Sequence, residues 1–225
     1  MKNVVLTGIG GQGTVLAAKI LAQAAQARGW HVRTAETIGM AQRGGSVTSH
    51  VRMGNEGEHV ASPLVSAGAA DMLIAFEPGE AARMLGLLDA QGVLVTASNV
   101  KQPVTASLSK TVYAAAPVLE ALERREGATV VVDESALLEL VGNSRALNIV
   151  LLTVAISQRD AQGNPLLGIS LNEFKEAIRV CVKPKFVDTS EFHSEQNRQS
   201  PFPPPTVAEK FHDILSHSSE HLQDA

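Results

Sequence analysis

A glycine-rich run directly after the first apolar segment is the feature that most constrains the fold of this chain. Lys2 to Thr7 is predicted to be a short buried strand, and Gly8-Ile9-Gly10-Gly11-Gln12-Gly13 follows it. Thr14 to Arg28 has the residues of an almost wholly apolar helix that ends at Gly29, and His31 to Glu36 is a second predicted strand. A strand, a glycine turn, a helix and a strand in this order predict a βαβ unit with a right-handed crossover.

The pattern continues through the first 182 residues. Gly45 to Met53 alternates apolar and polar side chains, which predicts a half-exposed, antiparallel strand. Further strands are predicted over 71–76, 92–97, 111–114 and 129–133, and helices over 78–88, 117–125, 134–141, 144–158 and 170–180, with Ser144 and Ser170 as caps. We therefore predict an α/β fold: a three-layer, Rossmann-like domain with a mixed, mainly parallel sheet, over residues 1–182.

The last segment, residues 183–225, has a different composition. It is polar up to the stiff run Pro201-Phe202-Pro203-Pro204-Pro205, and Thr206 to His217 then has the spacing of a short amphipathic helix. Such a segment cannot form a core by itself. We expect an extended C-terminal arm whose helix packs on another surface, or else a tail without fixed structure.

Composition excludes several functions. The formal net charge of -4 and the lack of a long basic run argue against nucleic acid as a partner. The longest apolar stretch, Ala146 to Ile156, is too short to span a bilayer, and the start of the chain lacks a signal-peptide pattern, so we expect a cytoplasmic protein without membrane contact. The one cysteine, Cys181, cannot by itself hold an iron–sulfur cluster or a cysteine-based zinc site.

Gly8, Gly10 and Gly13 match G-x-G-x-x-G between a strand and a helix. Such glycines allow a tight turn, and the helix N-terminus that follows offers N–H groups to a phosphate. Glu36, at the end of the second strand, stands where a ribose-binding carboxylate is found in NAD(P)-dependent reductases. The pattern leaves three interpretations open: dinucleotide binding, glycines needed only for packing, and another phosphate or subunit contact. It is not a P-loop.

A second motif narrows this choice. Gln42-Arg43-Gly44-Gly45-Ser46 lies some thirty residues after Gly-Ile-Gly-Gly-Gln-Gly, and Ser62-Pro63-Leu64, Ala70 to Pro78 and Gly142 to Asn148 agree with it. With these segments, residues 2 to 180 resemble the gamma domain of the 2-oxoacid:ferredoxin oxidoreductases, in particular the small (beta) subunit of the indolepyruvate-specific members.

The resemblance implies a place in a larger enzyme. Such enzymes convert a 2-oxoacid, CoA and oxidised ferredoxin into acyl-CoA, carbon dioxide and reduced ferredoxin. It implies that thiamine diphosphate, magnesium and the [4Fe-4S] clusters belong to a large partner subunit, that ferredoxin reacts through the complex, and that this chain binds no cofactor alone. We expect a hetero-oligomer, with a homodimer possible in isolation.

Two roles for the chain remain open under this resemblance. One is assembly, in which the domain covers the large subunit and keeps water from the thiamine site. The other is a direct contact with CoA, whose diphosphate would bind the N–H groups of Gly10, Gly11, Gln12 and Gly13, with Arg43 beside the flexible pair Gly44 and Gly45 as a bidentate partner for a phosphate or carboxylate. His50 and Arg52 are predicted to be solvated or interfacial rather than catalytic.

Overall fold

A computed structural model of the chain describes residues 1–39, 44–55, 57–101, 114–135 and 146–182. The strands are β1 (Lys2–Ile9), β2 (His31–Ile38), β3 (Ser46–Gly54), β4 (Ala70–Ala75), β5 (Leu88–Ala97) and β6 (Thr129–Val132). The helices are α1 (Thr14–Ala27), α2 (Pro78–Met84), α3 (Ala115–Glu123), α4 (Leu147–Ser157) and α5 (Leu171–Cys181), and a 3-10 turn, Leu85–Leu87, follows α2.

The described strands form one mixed sheet in the order β2-β3-β1-β4-β5-β6. β1, β4, β5 and β6 are parallel, whereas β3 is antiparallel to both of its neighbours. This confirms the predicted fold class and the antiparallel strand. β1 and β2 flank α1 in the chain as predicted, but β3 is inserted between them, so the βαβ unit spans one intervening strand.

Helices cover both faces of the sheet, which gives the three predicted layers. Alternate residues of the central strands face opposite sides: Leu6 belongs to the cluster beneath α1, α4 and α5, and Val5 to the cluster beneath α2 and α3. α4 lies inside the first cluster, where apolar side chains on every side of it are buried. None of the helices in the described ranges combines the length and apolar character needed to cross a bilayer.

The prediction that β3 is half-exposed is wrong. Thr48, Ser49 and His50 are buried, because β3 is an interior strand and both of its faces are covered. α1 packs on one face, and the loop that carries Val65 covers the other, where the Val65 N–H donates to His50 Nδ1 at 3.3 Å. Polar alternation here therefore reflects hydrogen bonding inside the fold rather than contact with solvent.

Other boundaries differ from the predictions. α2 ends at Met84 rather than at Leu88, and β5 begins at Leu88 rather than at Gly92, because the β4–β5 register shifts and the chain bulges before Gly92. A Cβ on Gly92 would lie 2.8 Å from the Ala70 carbonyl oxygen. The predicted strand over 111–114, most of the predicted helix over 134–141, the cap Ser144 and the whole arm over 183–225 lie outside the described residues.

Candidate functional site at the carboxyl edge of β1 and β4

Three segments meet at one edge of the sheet. β1 ends at Ile9, parallel β4 ends at Ala75, and antiparallel β3 begins at Ser46, directly opposite Ile9. The chain turns from β1 into α1 on one face and from β4 into α2 on the other. Such a divergence opens the crevice in which open α/β sheets bind their ligands. The turn from β1 into α1, Gly10 to Gly13, lies at this edge, and we call it the glycine loop.

Two backbone N–H groups of the glycine loop already make hydrogen bonds within the chain. The Gly10 N–H donates to the Gly45 carbonyl at 2.8 Å, and the Gln12 N–H donates to the Ile9 carbonyl at 3.1 Å. Gly11 has a φ of 101° and Gly13 a φ of 85°, conformations that favour glycine. Two of the four N–H groups predicted to receive a phosphate are therefore already used, and those of Gly11 and Gly13 have no acceptor within the described part of the chain.

The Gln12 side chain closes the crevice between β1 and β4. Its Oε1 accepts from the Ile9 N–H at 2.6 Å, its Nε2 donates to the Phe76 carbonyl at 2.7 Å, and the residue is buried. A dinucleotide pyrophosphate approaches the second glycine of such a loop, here Gly10, whose N–H already binds Gly45. Gln12 is thus a structural link between two strand ends.

The amino end of α1 is uncapped. Gly13 occupies the cap position and has no side chain with which to bond the first turn, and that turn contains no acidic residue. Thr14 is only 3% exposed, and its hydroxyl has no hydrogen-bond partner among the residues that the structure describes. The hydroxyl lies beside the end of β1, 3.0 Å from the position that a Cβ on Gly8 would occupy. This end of the helix therefore keeps unpaired N–H donors, a positive dipole end and an orphaned buried hydroxyl in one place.

Asn148 explains why the cap position is a glycine. Its Nδ2 lies 2.8 Å from the position that a Cβ on Gly13 would occupy, and its Oδ1 accepts from the Ile149 N–H at 3.0 Å. The buried Asn148 thus packs α4 against the loop. Its recorded hydrogen bond lies within α4, and its contact with the loop is one of packing.

Buried carboxylates line the other side of the crevice, and sequence reasoning missed them. Glu77 caps α2 by accepting from the Glu80 N–H at 2.9 Å. Glu80 accepts from the Ser46 hydroxyl at 2.5 Å and from Arg83 Nη1 at 2.9 Å. The segment Glu77-Pro78-Gly79-Glu80 has the pattern of a helix start, which signals the cap but not the reach of Glu80 to β3.

The ribose-binding interpretation of Glu36 finds no support in this geometry. Glu36 pairs with Ser49 of β3, and β3 separates it from β1. Neighbouring strands lie about 4.8 Å apart, so the carboxylate is displaced by one extra strand from the place that a dinucleotide fold gives it. Glu36 is exposed on the edge strand β2.

The second glycine motif lies beside the first. The Gly45 carbonyl binds the Gly10 N–H, and Gly44 has a φ of 80°. The two motifs that the sequence separates by some thirty residues are therefore hydrogen-bonded neighbours. Arg43, the predicted bidentate partner of an anion, lies outside the described residues.

His50 and Arg52 are structural. Burial lowers the pKa of His50, whose Nδ1 accepts the Val65 N–H. Arg52 is only partly exposed: its Nε donates to Asn3 Oδ1 at 3.0 Å, and its Nη1 donates to the Ser62 carbonyl at 2.9 Å. Of the two predicted alternatives, solvated or interfacial, the first is wrong for His50, because the loop over 60–65 covers this face of β3. An interfacial position stays a prediction.

Both the sequence and the fold of this chain are similar to those of known proteins. A family model described as pyruvate ferredoxin/flavodoxin oxidoreductase matches residues 3–191. "Indolepyruvate oxidoreductase subunit IorB" of Thermococcus kodakarensis is 35% identical over 190 residues, covering 84% of this chain and 90% of that protein. The fold is similar to a keto/oxoacid ferredoxin oxidoreductase gamma subunit from Geobacter sulfurreducens, with a TM-score of 0.59 and 21% identity over 96% of this chain and 99% of that one.

A longer protein contains the same fold. The structure of 2-oxoglutarate:ferredoxin oxidoreductase from Magnetococcus marinus, with 2-oxoglutarate, coenzyme A and succinyl-CoA bound, aligns with a TM-score of 0.59 and 15% identity over 97% of this chain and 30% of that chain.

The chain belongs to the pyruvate ferredoxin/flavodoxin oxidoreductase family. Within it, the chain is a subunit of a 2-oxoacid:ferredoxin oxidoreductase, similar to the IorB subunits of indolepyruvate oxidoreductases.

Proposed function

We propose that this chain is the non-redox subunit of a thiamine-diphosphate-dependent indolepyruvate:ferredoxin oxidoreductase. The large partner subunit would carry thiamine diphosphate, magnesium and the [4Fe-4S] clusters, which supply decarboxylation and electron transfer to ferredoxin. The similarity to IorB subunits and the single cysteine support this division of labour. We expect the isolated chain to be colourless and without 2-oxoacid oxidation.

We propose further that the amino end of α1 binds the diphosphate of CoA. The observation that carries this is the uncapped start of α1 with the orphaned Thr14 hydroxyl beside it. Free N–H groups at a helix start and a positive dipole end bind phosphate oxygens well. The CoA-bound structure of the Magnetococcus enzyme contains a segment of the same fold, which makes CoA the first ligand to test.

The charges at this edge give the anion a direction of approach. Glu77 and Glu80 are buried on the α2 side, whereas the first turn of α1 contains no acidic residue. Because carboxylates repel a diphosphate, the anion would lie on the α1 side, over Gly11 and Gly13. The Gly45 carbonyl binds the Gly10 N–H, and Gly45 directly precedes β3. Arg43 is the basic residue nearest to Gly45 in the sequence, which makes it the candidate partner of the anion.

Assembly alone is the second candidate function. The involvement of Gly10 and Gln12 in internal hydrogen bonds favours it, since both groups serve the fold without a ligand. In that case the domain would only cover the large subunit and exclude water from its thiamine site.

Steady-state kinetics on the complete complex, isolated by size exclusion, separates the two functions. Arg43→Ala should raise the KM for CoA or for the 2-oxoacid about tenfold, because a charge-assisted hydrogen bond is lost, while subunit content stays normal. Arg43→Lys should restore part of the loss, since an ammonium cannot bind two oxygens in a fork. The control is Arg124→Ala, which removes an exposed arginine at the carboxyl end of α3. Fewer complexes with unchanged KM values would favour assembly alone and remove Arg43 from the site.

A further inference from the structure

We propose that Glu80 is a positioning residue for the glycine loop, acting through Ser46 and Gly45. The inference concerns the geometry of the loop, and its kinetic consequence rests on the proposed binding of CoA.

Glu80 makes a bond that its own helix does not need. α2 is capped by Glu77, whose side chain accepts from the Glu80 N–H. The Glu80 side chain instead leaves α2 and accepts from the Ser46 hydroxyl at 2.5 Å. The residue is only 7% exposed, and an ionised carboxylate is costly to bury without strong hydrogen bonds. The short hydrogen bond from the Ser46 hydroxyl therefore compensates part of the cost of burying the Glu80 side chain.

Ser46 is the point at which four segments join. It lies opposite Ile9 of β1, its carbonyl accepts from the Gly39 N–H at 2.8 Å after β2, and its hydroxyl donates to Glu80 of α2. The adjacent carbonyl, that of Gly45, accepts from the Gly10 N–H at 2.8 Å. A hydrogen bond that holds Ser46 in place therefore also positions the Gly45 carbonyl, which accepts the Gly10 N–H of the glycine loop.

The Arg83 contact does not share this role. Arg83 binds the other carboxylate oxygen of Glu80 at 2.9 Å, but its side chain is 60% exposed and lies on the same short helix. Because both residues lie on α2 and the exposed Arg83 guanidinium is screened by solvent, this ion pair does not connect α2 to β3, although Glu80 itself is buried. Arg83→Ala is therefore a matched control, since it removes a partner of the same carboxylate and leaves the Glu80–Ser46 bond in place.

Hydrogen exchange of the full-length chain tests the inference without any ligand. Glu80→Ala should speed exchange of the Gly10 amide about tenfold or more relative to wild type, while the amides of β5 and α5 keep their rates. Glu80→Gln should stay near wild type, because its amide oxygen can still accept from Ser46, and so should Arg83→Ala. Ser46→Ala should reproduce Glu80→Ala, and it serves where Glu80→Ala fails to fold.

The assembled complex then separates this inference from the proposed function. Faster Gly10 exchange with a raised KM for CoA and an unchanged kcat supports both. Faster exchange with an unchanged KM supports the positioning role and counts against CoA binding at this loop. Unchanged Gly10 exchange in both Glu80→Ala and Ser46→Ala overturns the positioning role, whatever the KM does.

Discussion

Helices α1 and α5 pack against each other, yet they begin in opposite ways. α5 starts with a complete capping box, in which the Ser170 hydroxyl accepts from the Glu173 N–H and the Glu173 carboxylate accepts from the Ser170 N–H. α1 starts with a left-handed glycine, which offers no side-chain cap, and with a buried hydroxyl that has no partner in the described part of the chain. The start of α5 therefore satisfies backbone N–H groups with its own side chains. The start of α1 has no such cap from its own cap residue, and it lies at the edge where the sheet diverges.

The largest expected effect comes from giving the cap position of α1 a side chain. Gly13→Ala should lower the free energy of unfolding by about 3 kcal/mol, because a Cβ there combines a left-handed φ with a clash against buried Asn148. Gly163→Ala is the matched control: its φ is 82° and a Cβ would meet nothing within 4 Å. It should cost about 1 kcal/mol. Equal losses in urea unfolding would mean that Asn148 moves aside freely.

Removing the cap of α5 should have a smaller but clear effect. Ser170→Ala should destabilise the fold by about 1 kcal/mol, since the Glu173 N–H loses its acceptor. Glu176→Gln, which removes a carboxylate of the same helix that pairs with exposed Arg179, should change stability little. Thermal unfolding of both variants beside wild type measures this difference, and a Ser170→Ala variant as stable as Glu176→Gln would contradict it.

The same kind of change at α1 should have the opposite sign. Thr14→Val keeps the shape of the side chain and removes its orphaned hydroxyl, so it should stabilise the ligand-free chain by about 1 kcal/mol. In the assembled complex the same variant should raise the KM for CoA, because a donor next to the free N–H groups is lost. A destabilised Thr14→Val chain would show that the hydroxyl is satisfied, and the contrast between the two helix starts would fail.

The smallest effect is the pH dependence of the unfolding free energy that arises from Glu173 of α5. Burial acts to raise the pKa of Glu173, but hydrogen bonds from Ser170 and the charge of Arg28 outweigh it and lower the pKa. A carboxyl whose folded pKa is lowered adds stability above its unfolded pKa, about 4.3, and this stability is lost as the pH falls through the folded value. The stability difference between wild type and Glu173→Gln should therefore shrink below about pH 4.3. A difference that stays constant down to pH 2 would contradict this.

Local sequence patterns predicted much of the fold, because residue spacing and capping residues distinguish a helix from a strand over a short segment. Ser170 followed three residues later by Glu173 indicates a helix start, and the structure has the full capping box there. The strict alternation over Gly45 to Met53 predicted a strand within one residue of β3 at each end. It failed on exposure, because alternation reports which side chains are polar and not what covers them.

The candidate site divides in the same way. The sequence placed Gly8 to Gly13 between a strand and a helix, but β1 continues through Gly8 to Ile9, so only Gly10 to Gly13 form the turn. The sequence also suggested that Gly44 and Gly45 belong with this run. It could not show that Gln12 closes the crevice, since that depends on the Phe76 carbonyl, 64 residues away. Nor could it show that Glu80 reaches Ser46, across 34 residues.

The sequence by itself determined the order of the described strands and helices and the need for glycine at the turn after β1, because both follow from short-range propensity and φ. Only the tertiary structure decided that β3 enters the sheet between β1 and β2, which moved Glu36 away from the glycine loop and brought Gly45 to Gly10. Strand order depends on which long-range pairings bury the most apolar surface and satisfy the most backbone groups, and no local pattern records that choice.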